Sequence, residues 1–267
     1  MSGKVQVSPQ QEKRNRKQKR KCFALGGPPD PEKHFYITNA ADVEYIVKNM
    51  INTSNTYLVR GPPACGKTTL AEALRRRYPY TKRGDHCSDD CEPSFVLIHA
   101  KAFIYAKEIR VFTRKFINEL KTATNCDLDA GDFDADGFKP AFQWLNERNV
   151  VMVIDEAQIV FQNFFSTFKD SGATAIFFTT TPEAAIVHQV PNEGSKINWP
   201  HSPSEIAKKF YWSGAFEHIE VVEALKQTNA KLEPEAVQAL VQISGVHRGV
   251  FVRLCEWVAQ HQSTAQA

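Results

Sequence analysis

The chain has 267 residues, 42% hydrophobic and 24% charged, with a formal net charge of +3. That composition excludes a fibrous or wholly disordered chain and fits one large α/β domain, alone or with a small helical companion. The charge is uneven: residues 1–22 hold eight of the 33 Lys/Arg against Glu12, so the remainder is mildly acidic, which argues against a body-wide nucleic-acid surface.

Residues 1–33 are polar and basic and end in Gly26-Gly27-Pro28-Pro29, which predicts a disordered tail. The run Lys13–Lys21 suits nuclear import or nucleic-acid contact, and equally a tail that only keeps the chain soluble. From 40 to 52 apolar residues recur at helical spacing, with Asn39 as a cap. A short strand follows at 56–60 and is broken by Gly61-Pro62-Pro63; a helix is expected from Lys67 to Arg77. Further elements are a strand at 94–99, an amphipathic helix at about 103–122, an acidic loop at 125–139 and a short helix at 140–148. A fully apolar strand at 150–154 suits the centre of a parallel sheet; strands at 173–179 and 216–221 come next, and 221–262 is mostly helical. Strands alternating with helices imply a parallel α/β sheet with right-handed crossovers. The division is a basic tail at 1–33, a core at 34–221 and a helical lid at 222–267.

Gly61-Pro62-Pro63-Ala64-Cys65-Gly66-Lys67-Thr68 matches G-x-x-x-x-G-K-[ST], and Thr69 extends it. Such a loop turns backbone N–H groups inward onto phosphate oxygens, and the following helix adds its positive end. Lys67 would supply a cation to the β- and γ-phosphates and Thr68 a hydroxyl to Mg²⁺. A chance Gly/Pro turn would lack the strand before and the helix after.

Val150–Ile154 delivers Asp155-Glu156 to the carboxyl edge of the sheet, where the cradle must also lie. Asp155 is then placed for the Mg²⁺ sphere and Glu156 for polarising the attacking water. The competing reading is a strand leaving the sheet into solvent. Gln158, just beyond, suits orienting a water and equally a plain surface amide. The next strand ends in Thr179-Thr180-Thr181-Pro182, where Thr180 is the favoured γ-phosphate contact if these hydroxyls do more than finish a strand. In Ser244–Val250, Gly245 suits a helix C-terminus, and Arg248 opens the next helix, either over the nucleotide or in a solvated turn.

Together these pieces resemble the additional-strand P-loop ATPases: AAA+ proteins and their STAND and archaeal-ATPase relatives. The resemblance covers about residues 34–262 and is carried by Gly61–Thr69, Val151–Gln158, Thr179–Thr181 and Gly245–Leu254. The Gly-Pro-Pro start is typical of AAA+ proteins, while Asp-Glu-Ala-Gln and Gly-x-His-x-Gly look like the STAND and archaeal branch. The resemblance implies Asp155 as the magnesium residue, Glu156 as the base, Thr180 as sensor 1, Arg248 as sensor 2 and Phe35–Ile37 at the adenine. Compact modules of this kind also occur in Crinkler-type effectors. One departure stands out: residues 182–215 contain no arginine, where AAA+ rings carry their arginine finger. An obligate ring is therefore not expected, and a slow switch fits better.

Three other signals carry less. Asp132-x-Asp134-x-Asp136-Gly137 opens like a calcium loop, but its twelfth position is Gln143 and Pro140 interrupts it. His86, Cys87 and Cys91 lack a second ligand pair at zinc spacing. The six cysteines follow no framework spacing and read as free thiols of a reducing, intracellular setting, cytoplasmic or nuclear. No apolar run is long enough to span a membrane. The expected function is ATP·Mg²⁺ binding and hydrolysis coupled to a conformational or partner-binding change. The alternatives are a nucleotide-dependent switch with negligible turnover and a nucleic-acid-associated protein acting through the tail. The protein partner is not readable, and ATP rather than GTP follows from the resemblance and from the lack of an Asn/Thr-Lys-x-Asp signature.

Overall fold

The computed structural model describes residues 30, 32–37, 40–50, 56–61, 64–80, 93–103, 109–125, 138–157, 171–179, 208–211, 218–228, 230–245 and 247–265. Its elements in chain order are α1 (Ala40–Met50), β1 (Thr56–Arg60), α2 (Lys67–Arg77), β2 (Ser94–His99), a 3-10 turn (Ala100–Phe103), α3 (Ile109–Thr124), α4 (Phe138–Glu147), β3 (Val150–Asp155), β4 (Thr174–Thr179), β5 (Lys208–Tyr211), α5 (His218–Thr228), α6 (Pro234–Ile243) and α7 (Arg248–Ala265). The strands form one parallel sheet in the order β2-β3-β4-β1-β5. This is the α/β P-loop NTPase fold of the additional-strand type, because β4 separates β1, which leads into the cradle, from β3, which carries the acidic pair.

The strand period of two divides the core into the two faces of the sheet. Leu58, Val96, Ile98, Met152, Ile154 and Phe177 face one way, onto Phe112, Phe116 and Leu120 of α3 and Phe138, Phe142 and Leu145 of α4. Tyr57, Val59, Leu97, Val153, Ile176 and Phe178 face the other, onto Leu70, Ala71 and Leu74 of α2 and Val43 and Ile46 of α1. β3 is buried along its whole length, as its unbroken apolar run requires. Burial on both faces fixes its register, and with it the position of Asp155 at the strand end.

A third cluster joins Val221 and Ala224 of α5 to Phe251, Val252 and Cys255 of α7, with Val237, Leu240 and Val241 of α6 against them. These helices make the C-terminal helical layer. Phe35 and Ile37 pack into that cluster, while Tyr36 between them packs into the core against α2. The Gln227 side chain closes this seam: its amide donates to Tyr36 O, and its carbonyl accepts from Tyr36 N, both at 2.9 Å. The Arg76 guanidinium covers the Tyr36 ring at 5.4 Å, and burial pushes the Tyr36 hydroxyl up to about 12.

One expected element is corrected. The strand proposed at 216–221 is helix from His218 onward, and the fifth strand is Lys208–Tyr211, paired with β1. A strand that opens on two lysines gives no apolar signal, and a sheet edge tolerates them. The helix expected at 103–122 is a 3-10 turn at Ala100–Phe103 and then α3. No described helix is long and apolar enough to cross a membrane. The expectations for the tail at 1–29, Asn39, the His86–Cys91 group, the Asp132–Gly137 loop and the arginine-free segment up to 207 lie outside the described residues.

Candidate functional site

The cradle starts where β1 ends. Gly61 N donates to Thr179 O at 3.3 Å, carrying the β1–β4 ladder one step into the loop. Ala64 (φ 55°) and Gly66 (φ 96°) are both left-handed, and such turns among right-handed neighbours fold N–H groups into a concave anion-binding nest. Leu70 N then donates to Gly66 O at 2.9 Å, the first hydrogen bond of α2, whose first residue is Lys67. Placing the lysine there brings its charge to the helix end that already favours anions. Pro62 and Pro63 lie outside the described residues.

Lys67 is buried at 6% exposure, and its Nζ donates to Gly61 O at 2.9 Å, spanning the loop's two ends. It also approaches Cys65 Sγ at 3.6 Å. Burial pulls the Lys67 ammonium below its ordinary range, partly offset by Cys65, Glu156 and Asp155. Burial likewise pushes the Cys65 thiol up, partly offset by Lys67, so this cysteine stays protonated and serves the loop through its backbone. Cys65 and Cys255 are both free and buried.

The acidic strand end meets the cradle. Thr68 Oγ1 donates to Asp155 Oδ2 at 2.8 Å, joining positions 87 residues apart in sequence. His99 Nδ1, at the end of the neighbouring β2, lies 3.5 Å from the same carboxylate oxygen. Glu156 follows in a left-handed turn at φ 56°, a conformation that costs a non-glycine residue free energy and concentrates at functional sites. Its Oε1 lies 3.7 Å from Lys101 Nζ. The sheet therefore brings Lys67, Thr68, Asp155 and Glu156 to one edge. Thr179 is buried at the tip of β4 between them; Thr180 and Gln158 lie outside the described residues.

Hydroxyl and carboxylate oxygens within hydrogen-bond distance of each other are the donor set that a hard divalent cation takes. Among the described residues no group of three or more His, Cys, Asp or Glu side chains is arranged to hold a metal by itself. Magnesium at phosphate sites needs no such cage, since it binds through one or two side chains, substrate oxygens and water. Thr68 and Asp155 fit that ion.

No protein-family model matches the chain, and no curated protein matches it. Among solved structures it is similar to AMPPCP-bound DnaA from Aquifex aeolicus, at 15% identity and TM-score 0.44, over 80% of this chain and 57% of that one. It is also similar to the RuvB Holliday junction branch migration motor of Thermotoga maritima, at 13% identity and TM-score 0.46, over 90% and 67%. A STAND protein with a tetratricopeptide repeat sensor from Pyrococcus horikoshii aligns at 14% identity and TM-score 0.42, over 80% of this chain and 28% of that one. The chain thus spans little more than half of the DnaA structure and about a quarter of the STAND protein.

The first turn of α7 abuts the cradle. A Cβ on Gly249 would stand 2.4 Å from Ala64 O and 3.1 Å from Ala64 Cβ, so only glycine permits this approach. We expect Gly249→Ala to push α7 off the loop, lowering stability by about 1–3 kcal/mol. Urea unfolding measures this, and unchanged stability would show that the contact is dispensable. Arg248, one residue earlier, is buried and held by Glu220 and Asp42 rather than solvated. Sequence reading missed Glu220, Asp42, His99 and Lys101. Only His99 left a usable trace, as the last residue of a strand bound for the edge that carries Asp155.

Proposed function

We propose that this chain binds ATP with Mg²⁺ in the cradle Gly61–Thr69 and hydrolyses it. The observation that carries this reading is the 2.8 Å hydrogen bond between Thr68 and Asp155, which brings the two motifs of a triphosphate–metal site together. The backbone nest and Lys67 bind the phosphates, and Thr68 and Asp155 hold the cation. When bound, the cation neutralises charge on the β- and γ-phosphate oxygens. Glu156 accepts a proton from the attacking water, so that the water oxygen meets the γ-phosphorus as hydroxide-like oxygen while ADP leaves. The same proposal assigns contact with the γ-phosphate to Thr180, the residue after Thr179 in sequence, and to Arg248, the first residue of α7. Adenine specificity, and a link from nucleotide state to partner binding, belong to the same proposal.

A nucleotide switch with negligible turnover is the second reading, favoured by the lack of arginine in residues 182–215. The test is affinity for ATP and ADP with and without Mg²⁺, together with phosphate release. We expect Mg²⁺ to tighten ATP binding at least about tenfold. Binding without release would support the switch, and no binding of either nucleotide would end both readings.

A further inference from the structure

We propose that Glu220, seconded by Asp42, is a positioning residue that orients Arg248 beside the cradle, and that ATP is told from ADP through this cluster. The proposal rests on the reading of the cradle as an ATP site. Arg248 Nε donates to Glu220 Oε1 at 2.8 Å and Nη2 to Glu220 Oε2 at 3.0 Å, a two-pronged pair that fixes the guanidinium plane. Asp42 Oδ2 lies 3.5 Å from Nη2. The Arg248 side chain is 8% exposed and that of Glu220 1%, so neither is a surface ion pair. The pair engages the Nε/Nη2 edge and thereby sets the direction of the opposite, Nη1 edge.

Electrostatics also requires Glu220. Arg248 is the first residue of α7, the positive end of its own helix, where a buried cation is disfavoured. Glu220 and Asp42 each sit in the first turn of their helices, α5 and α1, and offset that charge. Apolar packing would join three helices as well as a buried ion pair does, so joining them does not by itself call for arginine. What arginine adds is a fixed charge beside the loop: Gly249 touches Ala64, and the Arg248 charge acts on the Cys65 thiol.

The test compares ATP and ADP affinities in the presence of Mg²⁺ for wild type, R248M, E220Q, D42N and E220Q/R248M, with a thermal midpoint for each. R248M is expected to lower the ATP-over-ADP preference about tenfold. E220Q should reproduce most of that loss, and the double variant should add nothing further. A purely structural role would weaken ATP and ADP equally and leave the ratio untouched. An unchanged or increased ratio in E220Q, with R248M lowering it, would overturn the proposal. If E220Q does not fold, the more exposed D42N decides by the same ratio, with a smaller fall expected and no fall overturning it. Failure of wild type to bind ATP would instead remove the underlying reading of the cradle.

Discussion

Glu156→Gln is expected to slow ATP hydrolysis by about 10²–10⁴-fold while leaving the nucleotide bound. Glutamine keeps the volume and most of the hydrogen bonding of Glu156 but accepts no proton from water. The groups proposed to bind phosphate and metal are separate side chains: Lys67 on the cradle, Thr68 beside it, and Asp155 as the last residue of β3. Loss of the neighbouring Lys101 pair should matter little, because that lysine is 59% exposed and a surface pair contributes at most a fraction of a kcal/mol. Single-turnover phosphate release with a parallel ATP titration separates the two effects. A variant that releases phosphate at the wild-type rate would remove Glu156 from the role of base.

Lys67→Ala should weaken ATP binding about 100-fold, or about 2.7 kcal/mol, without unfolding the protein. The sign of the stability change is informative. Burial holds the folded-state pKa of Lys67 below its ordinary 10.5, so keeping it charged destabilises the nucleotide-free fold. That penalty is present in full below the lowered pKa and fades as pH rises through it towards 10.5. The alanine variant loses the buried hydrogen bond to Gly61 O along with this penalty, so its melting point without nucleotide should move little, while it loses the stabilisation that ATP gives wild type. Thermal melts with and without ATP·Mg²⁺ read both, and an undiminished ATP-induced shift would exclude Lys67 from phosphate binding.

Much of this architecture was legible because its signals are local and strong. An apolar run with no polar interruption, such as Val150–Ile154, has to be a central strand, and the sequence after it then has to emerge at the carboxyl edge. The loop at Gly61–Thr69 declares its own backbone geometry through its glycines. What could not be read was set by pairing across long separations. β5 is short and opens on Lys208-Lys209, so only its ladder with β1 reveals it. Glu220 and Asp42 look like surface carboxylates in helix first turns until the fold closes them around Arg248. Arg248 itself stood out by its place after Gly245, but its partners, 28 and 206 residues away, did not.

The three residues Phe35, Tyr36 and Ile37 point alternately into the helical layer and the sheet domain, with Gln227 gripping the middle one. A chain trimmed to begin at Ala40 would keep Lys67, Thr68, Asp155 and Glu156 and still lose this stitching. Its C-terminal helices would then be held to the sheet domain by fewer contacts, chiefly the Arg248–Asp42 pair and the approach of Gly249 to Ala64. Such a fragment would tell how far the seating of the C-terminal helices depends on these three residues.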